Sequence, residues 1–175
     1  TKFINKINTK NFSKILGGKT RQESTHKALK YLKKEKTKFN KVLIHDAARP
    51  NFSTKFIKKI VKISKAKTII PKIPLYDALK EVVDNKILLN LPRENFFVTQ
   101  TPQCFKFNEI LNLHTKNKHL YKDDDLSLIQ SLEKVGFVDG EKTNIKITDS
   151  KDLLTLKNFM KLNTRIGIGF DVHRL

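Results

Sequence analysis

Short apolar runs alternate along the chain with segments of helical periodicity, and this alternation limits the possible folds more than any other feature. The run KVLIHD at 41–46 places three consecutive apolar residues before polar ones, and KTIIP at 67–71 is a second such run. Runs of this kind are typical of strands in a parallel sheet that is covered on both faces. Apolar residues recur at helical spacing in 21–35, 53–65 and 151–162. We therefore predict an α/β fold with an open, mostly parallel sheet.

The remaining segments extend this prediction and add a hairpin. The apolar pattern predicts further strands at 12–16, 96–100, 144–148 and 165–173, and further helices at 107–117 and 123–135. Asp84-Asn85 separates KEVV from KILL, which is a two-residue hairpin signal within 80–89. Asp149 or Ser150 is expected to cap the last helix.

The charge of the chain first suggests a nucleic-acid-binding protein. Thirty-six Lys and Arg stand against 17 Asp and Glu, giving a formal net charge of +19 and a pI near 10.0. All but five of these cations are Lys, which are spread along the chain between apolar positions, whereas Arg is the preferred residue for bidentate recognition of phosphates and bases. We interpret the charge mainly as a solvated surface, and a basic RNA-binding module stays as the alternative that is not an enzyme.

The length and the cysteine content restrict the class of protein. The 175 residues suit one domain and the start of a second, with a junction near Asn163-Thr164. No apolar run approaches the roughly 18 residues of a membrane span. The single Cys104 excludes an internal disulfide and fits a reducing compartment, so we expect a cytoplasmic protein.

Polar residues at the ends of predicted strands are the candidates for binding and chemistry. Ligands of open α/β sheets bind beyond the carboxyl ends of the strands. Asp46 and Arg49 lie at such an end, where they could hold a ribose hydroxyl, a metal ion or a phosphate, or simply pair with each other in a turn. Gly17-Gly18 could admit a ligand to the backbone, or form an ordinary tight turn. Lys146 between two isoleucines could face a phosphate site or solvent.

Asp171 and His173 form a separate candidate pair. Their spacing on a predicted strand places both side chains on one face, where they could converge on a divalent metal. Zinc needs at least a third protein ligand, and surface polar residues are the plain alternative.

Four motifs in fixed order resemble one enzyme family. GGKTRQES (17–24), HDAARP (45–50), TPQCF (101–105) and NIKIT (144–148) are similar to 2-C-methyl-D-erythritol 4-phosphate cytidylyltransferases. The last residues, RIGIGFDVHRL, resemble the first strand of 2-C-methyl-D-erythritol 2,4-cyclodiphosphate synthase. The resemblance implies a cytidylyltransferase domain at 1–162 followed by a junction and cyclase strand at 163–175, as in bifunctional fusions. It also implies a three-layer α/β/α sandwich with a Rossmann-like nucleotidyltransferase sheet, incomplete at its N-terminus.

The resemblance also implies a role for individual residues. The nucleotide is expected at Gly17, Gly18, Ser24 and Ala47, and the methylerythritol phosphate at Asp46, Arg49, Asp77 and Asp124. The catalytic cations would be Lys146 and Arg93. Asp171 and His173 would be two of three metal ligands in the cyclase. Ala78, Asp123 and Leu126 depart from the family pattern.

Substrates, cofactors and partners follow from the same resemblance. CTP and 2-C-methyl-D-erythritol 4-phosphate are the expected substrates, with Mg²⁺ for the transferase and a divalent metal such as Zn²⁺ for the cyclase. Residues 75–98 resemble an arm that family members exchange in a homodimer. The family's Gly-rich triphosphate loop has no counterpart in the sequence, so we expect the 175 residues alone to be inactive. Another sugar-phosphate nucleotidyltransferase is the alternative enzyme.

Overall fold

The computed structural model describes residues 12–35, 39–63, 66–118, 120, 122, 124–129 and 135–160. Four helices and seven strands lie in these residues. The helices are α1 (Arg21–Lys34), α2 (Thr54–Lys62), α3 (Phe107–Lys116) and α4 (Ser150–Phe159). The strands are β1 (Lys41–Ile44), β2 (Thr68–Pro74), β3 (Leu79–Val83), β4 (Lys86–Leu91), β5 (Phe97–Thr99), β6 (Gln103–Lys106) and β7 (Val135–Asp139). Among the described helices, none combines the length and apolarity needed to cross a bilayer.

Five strands form the main sheet, and three of them run in one direction. β6 pairs antiparallel with β1 and with the start of β2, while β7 pairs parallel with β2 on its other side. β1, β2 and β7 therefore point the same way, which confirms an α/β fold with a parallel-containing sheet. The expectation of mostly parallel neighbours needs correction, because β6 separates β1 from β2. β5 and β6 both pair antiparallel with β2, β6 with its first residues and β5 with its last.

The core lies on both faces of this sheet. Ile69 and Ile70 are adjacent on β2 and fully buried, so their side chains point to opposite faces. Ile70 packs in a cluster with residues of α1 and α3, such as Leu29 and Ile110. Ile69 packs in a second cluster with α2, which contributes Phe56 and Ile60, and with Cys104 and Val138. Helices on both faces give the three layers that the sequence predicts.

β3 and β4 form a separate two-stranded sheet, the arm. Asp84 and Asn85 connect its strands with φ values of 48° and 61°, the left-handed region that two-residue hairpin turns of type I′ require. The predicted hairpin is thus confirmed. Its apolar side chains, including Ile87 and Leu88, are exposed.

Three of the predicted elements are wrong. Residues 12–16 form no strand in the described structure, and Phe12 and Leu16 are exposed rather than packed between helices. In place of a helix at 123–135, the described part shows a 3-10 turn at Leu126–Leu128 and the start of β7 at Val135. Asp124 Oδ1 accepts hydrogen bonds from the amide and hydroxyl of Ser127, which favours a tight turn over a continuous helix.

Residues 144–148 are also not a strand. Their contacts go to loops: the Ile147 amide donates to the Ala48 carbonyl at 2.8 Å. The strand expected at 165–173 lies outside the described residues. The predicted helix at 151–162 is present as α4, and Asp149 caps it by accepting from the amides of Lys151 and Asp152.

Candidate active site

A cavity of about 520 Å³ opens between α1 and the carboxyl end of β1. Polar and apolar side chains share its wall. Asp46, Ala47 and Ala48 line it just beyond the end of β1, and Arg21, Ser24 and Lys146 line it from other segments. The position agrees with the rule that ligands of α/β sheets bind beyond the carboxyl ends of strands.

Asp46 is the centre of charge in this cavity. Arg21 Nε lies 3.2 Å from its Oδ1, while Arg49 Nε and Lys146 Nζ lie 3.9 Å and 3.7 Å from its Oδ2. Three cations therefore surround Asp46, and because Arg21 also pairs with Asp125, one positive charge is left over. Such a site is suited to a negatively charged ligand such as a phosphate.

The loop that carries Asp46 is fixed by His45 and Thr101. The Asp46 amide donates to Thr101 Oγ1 at 3.0 Å. His45 Nε2 lies 2.8 Å from the Arg49 carbonyl oxygen, which only accepts, so this nitrogen carries the proton. His45 Nδ1 then accepts from the Thr101 hydroxyl at 3.1 Å. Burial lowers the pKa of His45, which agrees with this neutral ring.

Lys146 is placed by a buried polar network. The Asn144 side chain is fully buried, and its Nδ2 donates to the Thr101 carbonyl at 2.8 Å. Gln100 Nε2 donates to the carbonyls of Glu141 and Asn144, and Gln100 Oε1 accepts from the Glu141 amide. These bonds fix the segment before Lys146, while its own side chain is about half exposed at 49 %.

Gly17-Gly18 packs tightly against the start of α1. The Gly18 amide donates to Ser24 Oγ at 2.9 Å, and Ser24 Oγ donates to the Thr20 carbonyl. A Cβ on Gly18 would lie 2.5 Å from the Glu23 side chain, so the close approach requires glycine. Thr20 caps the helix by accepting from the Glu23 amide. The motif thus places Ser24 in the cavity wall.

Arg21 is a site residue that the sequence patterns do not single out. Its Nη2 donates to Asp125 Oδ2 at 2.8 Å, and Asp125 Oδ1 lies 2.9 Å from His114 Nε2. Burial opposes the charge on Arg21, but the attraction of Asp125 and Asp46 outweighs it and raises the pKa of Arg21 above its usual value. Burial likewise opposes the Asp125 charge, yet the His114 hydrogen bond and Arg21 bring the pKa of that carboxyl below its usual range.

Residues 2–161 match the family model described as "IspD: 2-C-methyl-D-erythritol 4-phosphate cytidylyltransferase". The chain belongs to this family. The "Bifunctional enzyme IspD/IspF" of Pelagibacter ubique is 41% identical over 174 residues, which are 99% of the chain and 45% of that relative. The 2-C-methyl-D-erythritol 4-phosphate cytidylyltransferase of Bacillus cytotoxicus is 36% identical over 160 residues, covering 89% of the chain and 69% of the relative. The chain thus spans less than half of the bifunctional relative.

Solved cytidylyltransferase structures share the fold. The enzyme of Thermus thermophilus is 30% identical with a TM-score of 0.73, covering 85% of the chain and 73% of the neighbour. The bifunctional IspDF of Campylobacter jejuni gives the same identity and TM-score, covering 89% of the chain and 39% of the neighbour.

The structure brings some of the residues expected from the cytidylyltransferase motifs together and separates others. Ser24, Asp46, Ala47 and Lys146 line the cavity. Gly17 and Gly18 adjoin it through Ser24, and Arg49 through Asp46.

Three other expected residues lie apart from this cavity. Asp77 and Arg93 flank the arm, where Arg93 Nη1 donates to the Tyr76 carbonyl, and neither lines the cavity. Asp124 bonds Ser127 instead, while its neighbour Asp125 contacts Arg21. Asp171 and His173 lie outside the described residues.

Proposed function

We propose that the protein transfers a cytidylyl group from CTP to 2-C-methyl-D-erythritol 4-phosphate. The observation that carries this proposal is the cluster of Arg21, Arg49 and Lys146 around Asp46 at the cavity. In the reaction, a phosphate oxygen of the methylerythritol phosphate attacks the α-phosphorus of CTP. The bond to the β-phosphate oxygen breaks, and pyrophosphate leaves with the electron pair. Such chemistry depends on positioning and on positive charge at the phosphates rather than on a covalent nucleophile.

Lys146 is the side chain that we expect at the reacting phosphates. Its ammonium lies 3.7 Å from Asp46 Oδ2, longer than a good hydrogen bond, and the side chain is half exposed. It can therefore turn to a phosphate without breaking a strong contact. A cation aimed at charge that develops in the transition state gives the largest benefit to rate.

Arg49 and Ser24 would orient the two substrates. Arg49 keeps Nη1 on the Asn144 carbonyl, so its guanidinium has a fixed plane next to Asp46. A fixed guanidinium is suited to a phosphate or hydroxyl of the acceptor. Ser24 and Ala47 line the side of the cavity where we expect the nucleotide, and Gly18 adjoins it through Ser24. Backbone and hydroxyl groups there can approach a base closely.

The arm supports a proposal of a homodimer with shared sites. Several large apolar side chains of the arm are more than half exposed: Val82, Ile87, Leu88 and Leu89. Exposed apolar side chains on both faces of a hairpin are typical of a contact surface. A second copy of the chain would cover the arm, and Asp77 and Arg93 beside it would reach the partner's methylerythritol phosphate. This placement accounts for their distance from the cavity in one subunit.

The two metal ions expected from the sequence stand differently in the proposal. Among the described residues, no three His, Cys, Asp or Glu side chains converge, and Asp46 is already engaged by cations. These donors do not form a Mg²⁺ site made of protein ligands alone, so the steps above are assigned to side chains. A Mg²⁺ ion brought in by the CTP phosphates would need only one or two carboxylates. The cyclase metal, such as Zn²⁺, would be held by Asp171, His173 and a third ligand. The match to a bifunctional relative over 99% of the chain supports that second activity.

The test is an assay of the protein encoded by the complete gene, which we expect to act in the cytoplasm. Purified protein is incubated with CTP and 2-C-methyl-D-erythritol 4-phosphate, and pyrophosphate and the cytidylylated product are quantified together. Equal amounts of both products support the proposal. Turnover with another sugar phosphate, but not with methylerythritol phosphate, would show that the chain serves a different nucleotidyl acceptor. In the same protein, His173→Ala should abolish only the cyclase reaction.

A further inference from the structure

Arg21 connects the cavity to a carboxylate in the protein interior. Its side chain is 22% exposed, that of Asp46 is 17% exposed and that of Asp125 is 1% exposed. Arg21 Nη2 donates to Asp125 Oδ2 at 2.8 Å, and Arg21 Nε donates to Asp46 Oδ1 at 3.2 Å. One guanidinium thus bridges a buried carboxylate and the carboxylate of the candidate site.

At the buried end of this bridge, Asp125 is held in place by His114. Asp125 Oδ1 contacts Nε2 of His114, a fully buried residue of α3, at 2.9 Å. The His114 ring stacks on that of His26, with centroids 5.9 Å apart, and His26 Nε2 lies 3.2 Å from Thr115 Oγ1. Both oxygens of Asp125 are therefore engaged, which leaves the Arg21 guanidinium little freedom.

At the site end of the bridge, the two oxygens of Asp46 face different cations. Oδ1 receives Arg21 Nε, while Oδ2 is the oxygen nearest to Arg49 and Lys146. The terminal torsion of an aspartate is broad, so the carboxylate alone does not prefer this orientation strongly. The fixed direction of a guanidinium N–H does select it, and a lysine ammonium would not.

We propose that Arg21 is a positioning residue, which turns Asp46 so that its Oδ2 faces Lys146 and Arg49 while Asp125 and His114 hold Arg21 in place. This inference rests on the proposed function, because the orientation matters for rate only if Lys146 and Arg49 handle the phosphates. Asp123 and Leu126, on either side of Asp125, depart from the family pattern, but the bridge uses Asp125 itself.

The kinetic test is a double-mutant cycle in the protein encoded by the complete gene. Arg21→Lys keeps the positive charge but loses the fixed directions of the guanidinium N–H donors. We expect it to lower kcat/KM for methylerythritol phosphate by about 10-fold or more. Arg21→Met combined with Asp125→Asn avoids an unpaired buried charge and should show a similar loss. In an Asp46→Asn background, the same Arg21 changes should add less than about 3-fold, because residues that act as a unit are not additive. If the Arg21 changes lowered kcat/KM by the same factor in the Asp46→Asn background as in wild type, the inference would be overturned.

A structural measurement decides the question independently of turnover. A crystal structure of Arg21→Lys should show the Asp46 carboxylate rotated away from its present orientation, in a protein that melts within a few degrees of wild type. An unchanged Asp46 would overturn the inference. Lys67→Met is the matched control, since Lys67 pairs with Glu109 at 3.9 Å on an exposed surface away from the cavity, and it should change neither property. If wild-type protein transferred no cytidylyl group, the proposed function would fail while the orientation of Asp46 still tested Arg21.

Discussion

Arg49 Nη1 donates to the Asn144 carbonyl oxygen at 2.9 Å, which ties the loop after β1 to the segment that carries Lys146. The two residues are 95 positions apart in the chain. A second bond, from the Ile147 amide to the Ala48 carbonyl, joins the same two segments. The distance between Lys146 and Asp46 is therefore set by these loop contacts rather than by strand pairing.

Replacing Asn144 should loosen this connection. In Asn144→Ala, the bond to the Thr101 carbonyl is lost and a buried acceptor is left without its partner. We expect the free energy of unfolding to fall by about 1–3 kcal/mol, measured by urea denaturation. Turnover should fall as well, because the backbone segment that carries Lys146 is no longer held in place. Asn108→Ala, at an exposed position of α3, is the control and should change neither quantity. Unaltered stability in Asn144→Ala would mean that the loop is fixed in another way.

The buried Asp125 should make stability depend on pH in the acid range. Its pKa is lower in the folded protein than in the unfolded chain: burial opposes the charge, but the His114 hydrogen bond and Arg21 outweigh it. As the pH falls, the carboxyl is protonated in the unfolded chain before it is protonated in the folded protein. The stabilisation that ionised Asp125 gives to the folded state is therefore complete above the unfolded pKa of ~3.9. It is lost as the pH falls through the folded pKa. Denaturation of Asp125→Asn between pH 2 and 6 should show a shallower acid loss than wild type, and an equal or steeper loss would contradict this assignment.

The sequence indicates the parts of the site that local pattern governs. Asp46 is found because a buried strand ends in polar residues, and the hairpin because Asp84-Asn85 suits a two-residue turn. Lys146 is singled out for standing between two isoleucines, although the strand predicted around it is absent. Its surroundings depend on Asn144 and Gln100, whose partners are remote in the chain.

The bridge through Arg21 could not be found in this way. Arg21 and Asp125 are 104 residues apart, and a lone Arg on a helix looks like a solvated charge. β6 and β7 were missed for a different reason. QCFK is short and begins with a polar residue, and VGFVD follows a segment with helical spacing. The β-branched and aromatic residues of VGFVD are the signal that favours a strand there.

The arm should be needed for association. Leu88→Asp places a charge on an apolar side chain that is 65% exposed, and we expect the dimer to dissociate roughly 10-fold or more readily. Sedimentation velocity over a concentration series measures this. Val61→Asp on α2 introduces the same charge at a comparably exposed apolar position and should leave association unchanged. Equal sedimentation of Leu88→Asp and wild type would place the dimer contact elsewhere.

Shared sites predict complementation between two inactive variants. A heterodimer of Arg93→Ala and Lys146→Ala subunits keeps one site with both cations if Arg93 acts in the partner's site. An equal, fully exchanged mixture should therefore recover about a quarter of wild-type activity, since half the dimers are mixed and each has one complete site. The measurement is cytidylyl transfer before and after subunit exchange. Verified heterodimers without activity would show that Arg93 acts within its own subunit or not at all.

We propose that Lys146 acts on the phosphates of CTP during cytidylyl transfer. The most direct measurement compares kcat of Lys146→Ala with that of Lys142→Ala, an exposed lysine of the same loop that lies over the Tyr76 ring at 5.3 Å. We predict that Lys146→Ala loses roughly 10²–10³-fold in kcat with an unchanged melting temperature, because a preorganised charge at the transition state is removed. Lys142→Ala should keep wild-type kcat. Equal kcat values for Lys146→Ala and Lys142→Ala would contradict the proposed role of Lys146.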